Sequence, residues 1–338
     1  MLFRSRGLRV VRELGIPEDR IDKAIIELAK SNESNQATFK REYGAQFIDG
    51  SDSYFSMNKM ITCTIPDGES PSILIKGSKE GKYILAIDPN FSNSPTADNF
   101  AMCLIEIDQE KLKEGKCAGT VVHNYARHGK DLKNHIQYFY YILSNFNVEM
   151  IIIDYAGYQF IEAANESEWF KKDKIEIKVF EFYAEKDGSE LEEQLKNARK
   201  GWNKEHQRIA FTQYFTTDFI RKGNEWLQGC IDYKKIWFGS NIKADASTFE
   251  KTVENQVVDL TLVDQESLGD FIDSQEVLMR QTKYECASIE VKSTAKGTQS
   301  FDLPQIMKRD TSANRMRRDS YTALMLGCWG MKCHHDII

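Results

Sequence analysis

Tyr83-Ile84-Leu85-Ala86-Ile87-Asp88 decides how the chain folds. Its five leading residues suit a buried strand, and the run ends in a carboxylate. A charge at the edge of a core is costly unless something pairs with it. Pro89, with no N–H, stops the ladder just after the acid. The design recurs at Val148 to Asp154, VEMIIID, followed by Tyr155, Ala156 and Gly157. A third acid, Asp319, follows a basic run and opens an apolar helix, DSYTALMLGCW.

Between the first two acids the periodicity predicts a meander. A polar loop follows YILAID, then strands at Phe100 to Ile107 and Cys117 to His123, with a turn at Lys111 to Lys116. Asp131 to Asn145 has Leu132, Ile136, Phe139, Tyr140 and Leu143 at helical spacing. The near-continuous apolar run of VEMIIID indicates a strand covered on both faces, as in a parallel sheet. Gly157 to Phe170 reads as a helix and Ile175 to Phe182 as a strand. A right-handed crossover makes VEMIIID parallel to an earlier strand. If that neighbour is YILAID, Asp88 and Asp154 end at the same sheet edge, where open α/β sheets bind ligands. The class is therefore α/β, a mixed sheet of an antiparallel three-strand meander plus parallel strands, flanked by helices.

The flanks are less regular. Pro17 to Lys30 and Phe39 to Phe47 read as helices, and Asp49 to Ser53 as a turn. Residues 1–60 offer apolar faces with too little partner surface, and residues 61–338 form the main domain. Further on, helices are expected at Leu191 to Lys200, Thr217 to Cys230, Ser247 to Val263 and Leu268 to Tyr284. Strands are expected at Arg208 to Phe211 and Ile236 to Phe238. Glu285 to Val291 and Gln299 to Leu303 flank Ala295-Lys296-Gly297 as a hairpin, and residues 304–316 read as a polar, basic loop.

Composition narrows the class. The 338 residues are 41% hydrophobic and 28% charged, ordinary for a soluble globular protein. No long uncharged apolar window suggests a membrane helix, and MLFRSRGLRVVREL is too charged for a signal peptide. Seven dispersed cysteines without a CxxC pair read as the reduced thiols of a cytoplasmic protein. Cys333-His334-His335 reads as a frayed tail lacking the geometry of a metal site. The net charge of −6 argues against a surface that binds nucleic acid all over. Yet Lys308, Arg309, Arg315, Arg317 and Arg318 cluster before Asp319, as a phosphate-contacting stripe or as a solvated charged loop.

Taken singly, each acid has a plainer reading as a turn former or helix-start residue. Taken together, three converging carboxylates repel unless cations neutralise them. Hard Mg²⁺ or Mn²⁺ suits such oxygen donors. Two ions roughly 3.5–4 Å apart clamp the attacking water and leaving oxygen of a phosphodiester. Asp98 and Asp310 are weaker additions, and Asp310 pairs most simply with Arg309 or Arg315.

The motifs YILAIDPN with TADNFAM, IIIDYAGYQF and RMRRDSYTALML, in this order, resemble those of a known family. It is the C-terminal nuclease domain of the large terminase subunit of tailed bacteriophages, which has an RNase H-like fold. EYGAQFIDGSDSYFS resembles the passage from that family's motor into its nuclease, so the likeness spans roughly residues 35–330. The resemblance implies that Asp88, Asp154 and Asp319 bind two Mg²⁺ or Mn²⁺ ions and cut double-stranded viral DNA during packaging. It also implies a portal protein, a small terminase subunit and a packaging ATPase as partners, in the cytoplasm of an infected bacterium. Residues 1–60 would be the end of that motor. No G-x-x-x-x-G-K-[ST] stretch occurs, and GSKEGKY at Gly77 lacks both spacing and hydroxyl, so no ATPase activity is expected. The competing expectations are another RNase H-like nuclease of resolvase or recombinase type, and a non-catalytic docking module for portal or DNA.

Overall fold

The computed structural model describes residues 53–66, 73–92, 94, 97–182, 193, 207–240, 259–265, 268–293, 299–308 and 315–337. The expected helices at Pro17 to Lys30 and Phe39 to Phe47, nearly all of Leu191 to Lys200, the start of Ser247 to Val263 and the Ala295 turn lie outside these residues. So do most of the Asp49 to Ser53 turn, Arg309 and Asp310.

The strands are β1 (Tyr83–Asp88), β2 (Phe100–Ile107), β3 (Gly119–Arg127), β4 (Val148–Asp154), β5 (Glu176–Phe182), β6 (Gln207–Gln213) and β7 (Ile236–Phe238). They form one sheet in the order β5-β6-β4-β1-β2-β3-β7. β1, β2 and β3 are the antiparallel meander, while β4, β6 and β5 extend the sheet in parallel from β1. A meander followed by a parallel crossover onto its first strand is the RNase H-like arrangement. A separate hairpin pairs β8 (Glu290–Ser293) with β9 (Gln299–Asp302).

Helices α1 (Met57–Thr62) and α2 (Gln109–Lys113) are short; α2 occupies the expected turn. α3 (Leu132–Asn145) makes the crossover. The helix expected over Gly157 to Phe170 is broken in two, α4 (Tyr158–Glu166) and α5 (Glu168–Asp173). Ser167 sits extended between them, and its side chain accepts from Phe170 N–H. α6 (Thr217–Asp232), α7 (Leu268–Ala287), α8 (Gln305–Lys308) and α9 (Asp319–Ile337) complete the chain. The strand expected from Glu285 begins only at Glu290, because α7 runs on to Ala287. Among the described residues no helix is long and apolar enough to cross a membrane. All seven cysteines are buried and free.

Strand alternation sends side chains to two cores. Tyr83, Leu85 and Ile87 meet Ile136, Phe139 and Ile142 of α3. Ile84 and Ala86 of β1, with Met150 and Ile152 of β4, meet Leu324, Leu326 and Cys328 of α9. α9 lies across β1, β2 and β4 and is flanked by α6 and α7. It is buried on every side over Asp319 to Met331, as its apolar composition requires. Two glycines let it approach. A Cβ on Gly327 would stand 2.8 Å from Ile105 Cδ1, and one on Gly330 would stand 3.1 Å from Ile84 and Ile152 Cγ2.

The N-terminus of α9 is fixed by fully buried Glu285, whose Oε2 accepts from Tyr321 N–H (3.0 Å) and whose Oε1 accepts from Gln281 (2.8 Å). Burial pushes the Glu285 carboxyl up to about 8, against its hydrogen bonds and with some help from Asp319.

Replacing Gly327 and Gly330 together by Ala should lower stability by about 1–3 kcal/mol through overpacking. Ala alone favours a helix by up to about 1 kcal/mol per site. Gly229→Ala on α6, whose Cβ meets nothing within 4 Å, should show only that gain. Urea midpoints of the two variants check the contrast; a stabilised double variant would mean that α9 is not held close. A pH series tests Glu285. Its folded value lies above the ordinary 4.5, so the unfolded chain binds fewer protons, and stability falls as pH rises from 4.5 toward about 8. Glu285→Gln should flatten the decline of melting temperature across that window, and an unaltered slope would place Glu285 outside the titration.

Candidate active site

Parallel pairing of β1 with β4 matches Ile87 to Ile153, so Asp88 and Asp154 follow side by side. Each shares strand parity with the residues facing α9, Ile84 and Ala86 for Asp88, Met150 and Ile152 for Asp154. α9 begins on that face with Asp319. The three carboxylates line one cavity of about 320 Å³ together with Asn90, Asp98, Asn99, Arg318 and Thr322. Its apolar wall includes Phe215 after β6 and Phe301 of β9. Among the described lining residues there is no His, Cys or Lys.

Two of the acids accept from backbone N–H groups. Asn99 N–H donates to Asp319 Oδ2 at 2.6 Å. Ala156 N–H donates to Asp154 Oδ1 at 3.4 Å. Thr322 is within hydrogen-bonding reach of Asp88, while its Oγ1 lies 3.0 Å from the Arg318 carbonyl. With one proton, the hydroxyl serves one acceptor at a time.

All three carboxyls are pushed up. Burial raises Asp88 well above the ordinary carboxylate range, and Asp319 and Asp154 raise it further against Arg318 and Thr322. Burial raises Asp154 against the N–H groups of Ala156 and Tyr155. Burial raises Asp319 to about 6, opposed by the Asn99 N–H, helped by Asp98 and opposed by Arg317 and Arg318. Among the described residues no three His, Cys, Asp or Glu side chains are grouped so as to hold a metal ion as they stand. The donor chemistry nevertheless fits hard divalent cations: carboxylate oxygens from three elements, part-buried, with an excess of negative charge.

The basic stripe divides on folding. Arg318 is exposed at the cavity, donates to Phe301 O (3.2 Å) and lies 3.3 Å from Asp302. Lys308 also pairs with Asp302. Arg315 pairs with exposed Asp98 at 2.5 Å. Arg317 is buried, with Nε donating to Ala97 O (2.8 Å) and Nη1 to Arg315 O (3.3 Å). It braces the loop that carries Asn99 to Asp319. The tail His334 is bonded to Glu149 at 2.9 Å.

The chain reading missed Asn99, Thr322 and Glu285. Thr322 had a signal, three residues beyond Asp319 on the same helix face. Asn99 acts through its backbone and Glu285 through tertiary placement, so neither left one.

No protein-family model matches the chain, and no curated protein matches it. Among solved structures it is similar to the large terminase nuclease from thermophilic phage G20c. That likeness has 10% identity and a TM-score of 0.43, over 82% of this chain and 97% of that one. The nuclease domain of the large terminase subunit gp2 of bacterial virus Sf6 gives 11% identity and 0.39, over 82% and 98%. The HK97 bacteriophage large terminase gives 11% and 0.42, over 93% of this chain and 51% of that one.

Proposed function

We propose that the chain is a metal-dependent endonuclease that cuts double-stranded DNA during viral genome packaging, as the nuclease part of a large terminase subunit. One observation carries the proposal: Asp88, Asp154 and Asp319, from two parallel strand ends and a helix start, line a single cavity. The motif order around them supports the terminase assignment. In this reading residues 1–60 are the end of a motor, and the packaging ATPase, portal protein and small subunit are partners.

The three aspartates would hold Mg²⁺ or Mn²⁺, which when bound neutralises phosphate charge and lowers the pKa of attacking water. The protein's own part is positioning. Asn99 N–H and Ala156 N–H fix two of the carboxylates. Arg318, at the exposed rim, offers a positive charge to a phosphate oxygen. Among its described residues the cavity lining has neither a thiol nucleophile nor an imidazole base, which agrees with water as the nucleophile.

The full chain should nick plasmid DNA with Mn²⁺ or Mg²⁺ and be inactive in EDTA; cleavage undiminished by chelator would refute the proposal. Single Asn replacements of Asp88, Asp154 and Asp319 should each cost about 100-fold or more, and a double replacement little beyond that. A folded variant with near-native activity would remove that residue from the site, and three such variants would favour a docking module. Without metal at pH 8, Asp88→Asn should melt higher than the parent, because it removes a charge that burial and two neighbouring acids disfavour.

A further inference from the structure

A second cavity, of about 660 Å³, adjoins the first at one residue. Asn99 lines both. The second is built from the end of β3, the outer side of α7 and residues Arg315 to Arg317. Among the described residues its cationic lining is Arg127, Arg315 and Arg317, with the His128 imidazole beside them, and none of those lining residues is a carboxylate.

The local pairing leaves positive charge at Arg127, while Arg315 is ion-paired with Asp98. Arg127 Nη1 donates to the neutral carbonyl of Ala126 at 3.0 Å, and its guanidinium lies 5.9 Å from the Tyr125 ring centre. Asp264, the acid that feels its charge, is itself paired with Lys130 at 2.9 Å. Burial lowers the His128 imidazole, and the Arg317 and Arg127 charges lower it further. Arg315 joins the two cavities, since its partner Asp98 lines the acidic one.

We propose that this groove is a phosphate subsite for the nucleic-acid backbone, separate from the aspartate cavity and reading no bases. The ligand class rests on the nuclease reading above. A polyanion crossing from one cavity to the other passes over Asn99, so one segment of backbone meets the acids while its neighbouring phosphates meet Arg127 and His128. The contacts available are guanidinium, imidazole and the Gln281 amide, which position a backbone without reading sequence.

Val277 permits a test that removes no hydrogen bond or ion pair, since its side chain is apolar, lines the groove and is 60% exposed on α7. Two duplex oligonucleotides of unrelated sequence are titrated with the full chain in EDTA over a salt series. Val277→Glu should weaken binding and Val277→Lys strengthen it, each roughly threefold to tenfold and equally on both sequences. Arg127→Gln should weaken binding and flatten the salt slope by about one unit. If both Val277 variants bind like the parent while the parent still cuts plasmid, the groove proposal falls and the nuclease reading stands. If they shift binding in opposite directions but the parent never cuts, the subsite is supported and the nuclease reading fails. A parent chain that binds no duplex in EDTA also overturns the subsite.

Discussion

The parallel pairing of β1 with β4 is the constraint on which the rest depends. Once Ile87 is matched to Ile153, two acids end side by side on one face of the sheet. The pairing is held by strand interiors that are buried on both faces: Ile84, Leu85, Ala86 and Ile87 against Ile151, Ile152 and Ile153. Each such large side chain contributes about 1.5–3 kcal/mol on burial. A one-residue slip would turn the acids into the α3 core and their neighbours out of it. Hydrophobic register therefore fixes the placement of the charges, and the charges are carried at a cost.

That cost is legible at Asp319. A carboxylate at a helix start gains up to about 2 kcal/mol from the dipole in a part-buried site, and Asn99 adds a short hydrogen bond. Its carboxyl nonetheless rises from 3.8 to about 6, equivalent to roughly 3 kcal/mol against the charged form. Burial outweighs both favourable effects. Glu285 uses the same helix terminus, accepting from Tyr321 N–H, and is pushed higher still. Two carboxyls at one helix start, with Asp88 nearby, form a cluster in which protons or cations must make up the charge.

The sheet was the most legible part of the chain. β1, β4 and β7 have the expected bounds, because an apolar run ending in an acid or a turn marks both ends. The convergence of Asp88 and Asp154 was expected only if YILAID was the parallel neighbour of VEMIIID, and the β1–β4 pairing meets that condition. What failed was local. Ser167 broke a helix whose apolar periodicity, Phe160, Ile161, Ala164 and Phe170, runs straight through the break. Glu285 looked like a strand start because the hairpin's β-formers follow closely, but packing against α9 carried α7 past it. The basic run suggested five equivalent cations. Tertiary contacts separated them into a brace, Arg317, and ion-paired or rim positions, Arg315, Lys308 and Arg318. The second cavity was invisible because its charges come from residues near 127 and 316, nearly 200 positions apart in the chain.

An acidic protein can engage a polyanion only by separating its charges locally. At physiological salt, exposed charges are screened beyond about 8 Å, so the net −6 matters less than what lies within one Debye length of the bound phosphate. The two cavities differ on that scale. The aspartate cavity repels phosphate unless cations or protons offset its carboxylates, and among its described lining residues only Arg318 is cationic. The groove beyond Asn99 presents the Arg127 guanidinium without any added ion. In the proposed function this asymmetry divides the work. The groove supplies attraction that does not depend on metal, and the acids supply a site whose sign is set by what binds there. A backbone held first by Arg127 and His128 would reach the carboxylates already oriented. Productive contact in the acidic cavity then depends on the cation, so binding and cleavage draw on different charges of the same wall.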